Sequence, residues 1–336
     1  MAVTLHDVAR LSGVSIKTVS NVINDYPHIR PATRARVEAA IAELGYTPNL
    51  TARNLRSGRT GVIALAVPDL SLAYFAELAA QVIREAEAAG LVVVVEQTGG
   101  DRDSELDLLR SPRLKLTDGL IFSPLGVGPE DVGALDVPYP MVLLGERVFE
   151  GPADHITMRN VEAARAAAEY LIARGRRRIA VIGAHDGERM GSATLRMRGY
   201  REALKAAGIP YDDDIVGRTT FWHRANGADA MRELLARGAV LDAVFGFNDT
   251  LALGAMRALR QAGLRVPDDV SVIGFDDLDE AQFSFPALTT IDPGRGWIAK
   301  TAVTTLLQRI AGRTTAAPRT LLADFRVVER ESVSAV

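Results

Sequence analysis

The sequence predicts a small all-α domain at the N-terminus, followed by a two-lobed α/β domain built on parallel sheets. Residues 4–45 show the apolar spacing of three short helices. From Gly61 onward, apolar strands alternate with helical stretches, and this alternation restarts after Asn160, which predicts a second lobe. The length of 336 residues suffices for these two domains.

The N-terminal helices have clear start and stop signals. Thr4 can cap the first helix, and Gly13 fits the turn that ends it. Ser15 can cap a second helix directly after this turn, so the two helices must cross sharply. Pro31 suits the first position of a third helix, which Gly45 ends. The pattern predicts a helix-turn-helix.

The remaining chain alternates buried strands with helices, which indicates parallel sheets with right-handed crossovers. We predict strands at residues 61–67, 91–95, 118–123, 141–145, 178–183, 243–247 and 271–275. We predict helices at residues 103–115, 161–174, 194–207, 226–237, 249–262 and 295–311, besides an Ala-rich helix that ends at Ala89. In such sheets a ligand binds at the carboxyl ends of the strands.

Composition excludes several classes of protein. The absence of cysteine excludes a disulfide framework, a Cys-ligated zinc site and a cysteine nucleophile. The five histidines lack metal-ligand spacing, and neither a phosphate-binding glycine loop nor a G-x-S-x-G motif occurs. No apolar run reaches the roughly 18 residues of a membrane span. The charged start, MAVTLHDVAR, is unlike a signal peptide, so we expect a cytoplasmic protein without cofactors or catalysis.

The net charge of −3 conceals a strong asymmetry along the chain. Residues 1–60 contain eight Lys and Arg against four Asp and Glu, a net charge of +4, and the remainder carries −7. Within the basic segment, residues 49–60 are rich in Arg and too poor in apolar side chains to fold alone. This distribution indicates a basic arm on an acidic body, as some nucleic-acid-binding proteins have, although surface charge alone also serves solubility.

Five stretches of the chain have a distinctive sequence: LHDVARLSGVSIKTVSNVIN (5–24), TRARVEAAIAELGYTPN (33–49), FNDTLALGAM (247–256), GLRVPDDVSVIGFDD (263–277) and PALTTI (286–291). Together they resemble the LacI/GalR family of bacterial transcription regulators. The resemblance implies a helix-turn-helix headpiece at residues 1–47, a hinge helix at 48–60, and a periplasmic-binding-protein-like effector-binding and dimerisation domain at 61–336. Its N-subdomain would comprise about 61–156 and 290–318, and its C-subdomain about 157–289 and 319–333.

The resemblance also implies which headpiece residues contact DNA. Ile16, Lys17 and Asn21 would read bases in the major groove. The implied backbone contacts are Thr4, Leu5, Ser15, Thr18 and Asn24. Alternatively, Ser15 is only a helix cap, while Thr18 and Asn24 are ordinary polar groups on a helix face. The family commonly has Ser before the third helix, where this chain has Arg30 and Pro31.

In the hinge, the resemblance implies DNA contacts by Ala52 and Leu55. The matching leucine in the family wedges into a central base step of the minor groove, at a cost of roughly a few kcal/mol of unstacking. Alternatively, Leu55 is a dimer contact or a plain linker residue.

The resemblance further implies a small-molecule site between the lobes. Its implied contacts are Tyr74, Phe75, Glu146, Ser192, Arg196, Trp222, Asn248 and Asp276. The fork of Arg196 can bridge adjacent hydroxyls or a carboxylate. The alternatives are a surface arginine, loop caps at Asn248 and Asp276, and a core tryptophan.

Two positions near this site depart from familiar members of the family. Gly145 stands where an acidic residue is common, with Glu146 and Arg147 next, and Arg159-Asn160 replaces a frequent Asp-Asn pair. The mixture of acid, amide, Arg and Trp suits a sugar. We therefore expect a homodimeric repressor that binds double-stranded operator DNA and a sugar effector, which acts as inducer or corepressor. The alternatives are a solute-binding transport receptor and, third, a nucleotide-dependent dehydrogenase.

Overall fold

The computed structural model describes residues 3–23, 26–46, 59–187, 190–312 and 317–334. Contacts between residues divide the chain into two compact units, Met1–Gly61 and Val62–Val336. The fold class predicted from the sequence is confirmed: a short helical unit is followed by a two-lobed α/β unit with parallel sheets. No described helix is long and apolar enough to cross a membrane.

The N-terminal unit is a three-helix domain around one small core. Its helices are α1 (Leu5–Ser12), α2 (Ile16–Ile23) and α3 (Pro31–Leu44). Each helix contributes one valine that is fully buried, namely Val8, Val19 and Val37. Ala9, Val22, Ala40 and Tyr46 complete the buried cluster.

The turn between α1 and α2 follows the predicted signals, with one difference. Gly13 adopts a φ of +64°, a conformation that favours glycine. The Ser15 hydroxyl accepts a hydrogen bond from the backbone N–H of Thr18 at 3.2 Å, so Ser15 does cap α2. At the start of α1, the Thr4 hydroxyl donates to the Asp7 carboxylate at 2.7 Å, so this predicted cap hydroxyl acts as a donor.

The first lobe contains a six-stranded, all-parallel sheet with the order β11-β5-β4-β3-β1-β2. Its strands are β1 (Val62–Val67), β2 (Val92–Gln97), β3 (Leu120–Phe122), β4 (Met141–Leu144), β5 (Asp154–Met158) and β11 (Thr320–Ala323). Its helices are α4 (Ala73–Ala88), α5 (Arg102–Arg110) and α11 (Arg295–Ile310). Helical turns of the 3-10 type lie at Pro112–Leu116 and Pro129–Leu135.

Strand β1 shows why the strands of this sheet appear in the sequence as continuous apolar runs. Ile63, Leu65 and Val67 pack in the core beneath α4 and α11, while Ala64 and Ala66 face the core beneath α5. Both faces of the strand are therefore covered, and every position is apolar.

The second lobe contains a four-stranded parallel sheet with the order β7-β6-β8-β9. Its strands are β6 (Ile179–Ala184), β7 (Val216–Arg218), β8 (Ala243–Gly246) and β9 (Ser271–Ile273). Its helices are α6 (Asn160–Ala173), α7 (Ser192–Ala206), α8 (Arg224–Ala236), α9 (Asp249–Gln261) and α10 (Asp279–Phe283). A Cβ on Gly199 of α7 would lie 2.1 Å from the Val161 carbonyl oxygen, so glycine permits the close packing of α6 and α7.

The chain returns between the lobes near its C-terminal end. Strand β10 (Thr290–Asp292) pairs antiparallel with β12 (Arg326–Val328). Strand β11 pairs with β5 in the sheet of the first lobe. The predicted assignment of residues 319–333 to the C-subdomain is therefore wrong for Thr320–Ala323, which belong to the sheet of the first lobe.

Candidate functional site

Polar side chains follow the carboxyl ends of strands in both lobes. Glu146 follows β4 of the first lobe, whereas Asn248 and Asp276 follow β8 and β9 of the second lobe. Ligands bind in this position in open α/β sheets. The contacts of these residues connect the lobes and define the cleft between them.

Arg196 on α7 is held at the floor of the cleft and is only 3% exposed. Its Nε donates to Asn160 Oδ1 at 2.8 Å, and its Nη1 donates to the carbonyl oxygen of Phe247. Its Nη2 lies 3.8 Å from Asp276 Oδ1. The guanidinium carbon lies 3.6 Å from the ring centroid of Phe275. Arg196 is therefore a buried, positioned cation, and the alternative of a surface arginine is wrong.

Glu146 joins the two lobes through neutral hydrogen-bond donors. Its carboxylate accepts from Ser192 Oγ at 2.7 Å and from Asn160 Nδ2 at 2.9 Å. Since Asn160 also accepts from Arg196, a hydrogen-bonded chain runs from Ser192 through Glu146 and Asn160 to Arg196. Gly145, with φ of +91°, makes the turn just before Glu146.

Asp276 lies beside Arg196 in a strained turn. It is 4% exposed and has a φ of +117°, which is rare for residues other than glycine. Burial raises its pKa to about 7, although the charges of Arg196 and Arg295 act in the opposite direction. Among the residues that the structure describes, none donates a hydrogen bond to its carboxylate, and the nearest cationic group is that of Arg196.

Buried Asp249 supports this turn from below. Its carboxylate accepts from the Thr290 hydroxyl and, at 2.8 Å, from the backbone N–H of Leu278. Burial raises its pKa well above the ordinary value. A Cβ on Gly274 would lie 2.1 Å from Asp249 Oδ1, so this strand end requires glycine.

The predicted aromatic residues occupy different places. Burial, and to a smaller extent the charges of Asp276 and Glu146, raise the pKa of Tyr74. Phe75 packs against the core of the first lobe, with its ring 5.2 Å from that of Tyr74 in a T-shaped pair. Trp222 is half-buried, with its ring 5.4 Å from the guanidinium carbon of Arg196.

Asn248 acts mainly as a helix cap. Its Oδ1 accepts from the backbone N–H of Leu251 at 2.8 Å and from the Thr250 hydroxyl at 2.9 Å. Its Nδ2 donates to the carbonyl oxygen of Trp222 at 3.3 Å. The capping alternative therefore describes this side chain, which also holds the loop that carries Trp222.

Further contacts cross between the lobes at the rim of the cleft. Arg147 Nη1, just after β4, donates to the Met190 carbonyl oxygen at 2.5 Å. On α4, Glu77 Oε1 accepts from the backbone N–H of Asp279 at 3.0 Å. These residues and Asn160 were not predicted as site residues, although the two departures from the family pattern, after β4 and at Arg159-Asn160, pointed to Arg147 and Asn160.

The start of α2 presents the predicted DNA-contacting side chains. Ile16 is 38% exposed and Lys17 is exposed, whereas Asn21 is half-buried. The hydroxyls of Ser15 and Thr18 lie 2.9 Å apart and share a hydrogen bond.

The remaining predicted DNA contacts have mixed positions. Thr4 is exposed, and half-buried Leu5 packs against the core of the helical unit. Asn24, Ala52 and Leu55 lie outside the described residues.

Comparisons with known proteins identify both parts of the chain. Residues 4–49 match the family described as bacterial regulatory proteins, lacI family, and residues 168–333 match a periplasmic binding protein-like domain. The transcriptional regulator CelR of Thermobifida fusca is 36% identical, over 98% of each chain. The ribose operon repressor of Escherichia coli K12 is 36% identical, over 91% of this chain and 93% of the relative.

Solved structures agree with these relatives. A LacI-family protein from Sanguibacter keddieii has a TM-score of 0.76 at 52% identity, over 82% of this chain and 99% of the other. The CelR–cellobiose complex has a TM-score of 0.72 at 33% identity, over 98% and 99%. The Lac repressor dimer bound to operator has a TM-score of 0.80 at 30% identity, over 99% of each chain. The chain belongs to the LacI family of bacterial regulatory proteins, and the named relatives are transcription regulators rather than enzymes.

Proposed function

We propose that this chain is a cytoplasmic, homodimeric repressor that binds a pseudo-palindromic operator and is controlled by a sugar in the cleft. The observation that carries this proposal is the hydrogen-bonded chain from Ser192 through Glu146 and Asn160 to Arg196. A ligand that contacts this chain touches both lobes at once, and can thus favour one arrangement of the lobes over another.

The DNA-binding part of the proposal rests on the start of α2. In helix-turn-helix proteins this part of the second helix enters the major groove. The exposed ammonium of Lys17 can donate to guanine O6 and N7, and the apolar side chain of Ile16 can contact a thymine methyl. The Lac repressor is described as a dimer bound to operator, and two-fold symmetry suits a pseudo-palindromic site. Apart from the boundary at residue 319, the domain boundaries remain predictions, as do the roles of Ala52 and Leu55.

The effector part rests on the chemistry of the cleft. A sugar offers hydroxyls that donate to carboxylates, and an apolar face that packs on an aromatic ring. The cleft offers the carboxyl groups of Glu146 and Asp276 beside the ring of Trp222. Two relatives point the same way, since one is described with cellobiose and another as the ribose operon repressor.

The alternatives to a regulator are weaker. A solute-binding transport receptor shares the two-lobed body but has no use for a helix-turn-helix. A dehydrogenase would need a phosphate-binding glycine loop after a strand, and the sequence contains none. We therefore propose that the chain is not an enzyme.

The test is a gel-shift of the full chain on its own upstream DNA. The matched variants are Lys17→Ala on α2 and Lys205→Ala, an exposed lysine on α7. We expect specific binding that Lys17→Ala weakens about 10-fold or more, the loss that a good base contact represents. Lys205→Ala should bind like the unaltered protein. Equal effects of the two substitutions would contradict the assignment of α2 as the reading helix.

A further inference from the structure

The donors of Arg196 are mostly used within the protein. Nε and Nη1 donate to Asn160 and to the Phe247 carbonyl, while Nη2 lies 3.8 Å from the Asp276 carboxylate. The ring of Phe275 covers one face of the guanidinium. A guanidinium held in this way does not present the open fork that binds a carboxylate or phosphate in bidentate fashion.

The groups that remain for a ligand are rich in acceptors. Within the described part of the chain, Glu146 accepts hydrogen bonds from the neutral donors Ser192, Asn160 and, at 3.5 Å, Thr157, and forms no ion pair. Asp276 has its nearest cation at 3.8 Å. The Arg196 guanidinium thus lies near the Asp276 carboxylate but is linked to Glu146 only through Asn160. The oxygens of the two carboxyl groups are complementary to hydroxyl groups, which can donate, and not to a second anion.

Two further cations near these carboxyl groups, buried Arg295 and half-buried Arg147, are also engaged. Arg295 pairs with Glu77 at 2.5 Å and donates to the Asp276 carbonyl oxygen at 2.6 Å. Arg147 donates to the Met190 carbonyl oxygen. The charges of Asp276 and Glu146 favour the neutral form of the Tyr74 phenol, and the same charges would repel an anionic group placed beside it.

We infer that the cleft selects an uncharged, polyhydroxylated sugar and discriminates against phosphorylated and carboxylated forms of the same sugar. Glu146 and Asp276 determine this selectivity. The inference rests on the proposed function, because it presupposes that the effector is a sugar. Beyond the proposed function, it attributes the preference for an uncharged ligand to two residues, Glu146 and Asp276.

The test is isothermal titration calorimetry of the full chain with matched sugars. Three series of probes are used, each with an uncharged sugar and its charged forms. The first is ribose with ribose 5-phosphate and ribonate, the second is glucose with glucose 6-phosphate and gluconate, and the third is cellobiose with cellobionate. We expect an uncharged member of one series to bind at least about 10-fold more tightly than its charged forms, because juxtaposed like charges are strongly unfavourable.

Two isosteric substitutions assign the effect to the residues. Glu146→Gln and Asp276→Asn each replace an ionisable carboxyl group by a neutral amide of the same shape. In titrations at about pH 8, where Asp276 is mostly ionised, each should narrow the ratio of the affinities for uncharged and charged sugars. Glu202→Gln is the matched control, since Glu202 is exposed on α7 and pairs with Arg198 at 3.7 Å. The control should leave the ratio unchanged. Two variants provide independent readings if one of them fails to fold.

The possible outcomes separate the two proposals. A charged sugar that binds as tightly as its uncharged form, or tighter, overturns the inference and leaves the sugar effector standing. If the ratio of the affinities for uncharged and charged sugars is unchanged in both Glu146→Gln and Asp276→Asn, these residues do not determine the selectivity. If no sugar binds and a purine or amino acid does, the sugar effector is wrong, and the inference fails with it.

Discussion

Asp276 combines three properties that rarely coincide in one residue. Its backbone is strained, its carboxyl group is buried, and the nearest cation, Arg196, is 3.8 Å away. Backbone strain of this kind persists where the surroundings hold it, and here Asp249 binds the following turn. The consequence is a carboxyl group whose pKa is about 7.

We predict that sugar affinity depends on pH through Asp276. Burial, together with the charges of Glu146 and Glu77, favours the protonated form, while Arg196 and Arg295 favour the ionised form. A sugar hydroxyl that donates to the carboxylate lowers its pKa, so binding below pH 7 must release a proton. Affinity should therefore rise by up to about 10-fold per unit as the pH is raised toward 7, and level off above it.

Calorimetry between about pH 5.5 and 8 checks this dependence. Asp276→Asn has no proton to release, so its affinity should be nearly constant over the same range. A wild-type affinity that falls as the pH rises toward 7 would contradict the assignment of Asp276 as a ligand-facing carboxylate.

For individual residues, the sequence predicted which side chains lie close together but not which contacts each of them makes. The family resemblance named Glu146, Ser192, Arg196 and Asp276, and the structure brings them together. It could not show that the oxygen of Asn248 caps α9, because cap and ligand contact require the same residue type at the same strand end. Asn160 was not assigned, since its role depends on both neighbours in the hydrogen-bonded chain.

At the scale of elements, Glu105 on α5 fastens a loop of the first lobe. Its buried carboxylate accepts from the backbone N–H groups of Leu125, Gly126 and Val127 at 2.7–2.9 Å. A Cβ on Gly126 would lie 2.3 Å from the backbone nitrogen of Arg102, so the loop also packs tightly on the start of α5. Burial raises the pKa of Glu105, while the three hydrogen bonds oppose that rise.

We predict that Glu105→Ala lowers the free energy of unfolding by about 3 kcal/mol or more, because each buried N–H left without an acceptor costs roughly 1–3 kcal/mol. Urea unfolding of the full chain measures this loss. Asp107→Ala is the control, since Asp107 is exposed on the same helix, and it should change stability by less than about 0.5 kcal/mol. Equal losses in the two variants would show that the loop does not depend on Glu105.

The strands that the sequence failed to predict share a physical reason. Continuous apolar runs such as VIALAV in β1 are visible because both faces are covered. Strands β5, β7, β10, β11 and β12 are only three to five residues long, and most of them carry polar side chains. Their pairing depends on distant partners, as in β11 with β5, which also explains the misplaced boundary at residue 319.

At the scale of the whole molecule, positive charge is concentrated in the N-terminal segment and negative charge in the rest of the chain. Residues 1–60 carry +4 within a chain of net charge −3. Proteins that neutralise phosphates release counterions, and their affinity for DNA falls linearly with salt on logarithmic axes, with a slope of about −0.9 per phosphate. The local charge, not the total, therefore governs binding to DNA.

We predict a slope of about −5 or steeper for the dimer on its operator, as for about six neutralised phosphates. Fluorescence anisotropy of labelled DNA between about 50 and 200 mM salt measures it. Lys17→Ala should reduce binding without abolishing the slope. A slope near zero would contradict the binding of DNA phosphates by the basic segment at residues 1–60.

The coupling between sugar and operator tests the central claim most directly. Operator affinity of the full chain is measured by anisotropy with and without a saturating sugar that calorimetry shows to bind. We predict a change of about 5- to 150-fold, the range of typical allosteric coupling, and the same factor in sugar affinity when operator is present. An operator affinity that stays the same while the sugar is bound would contradict an effector-controlled regulator.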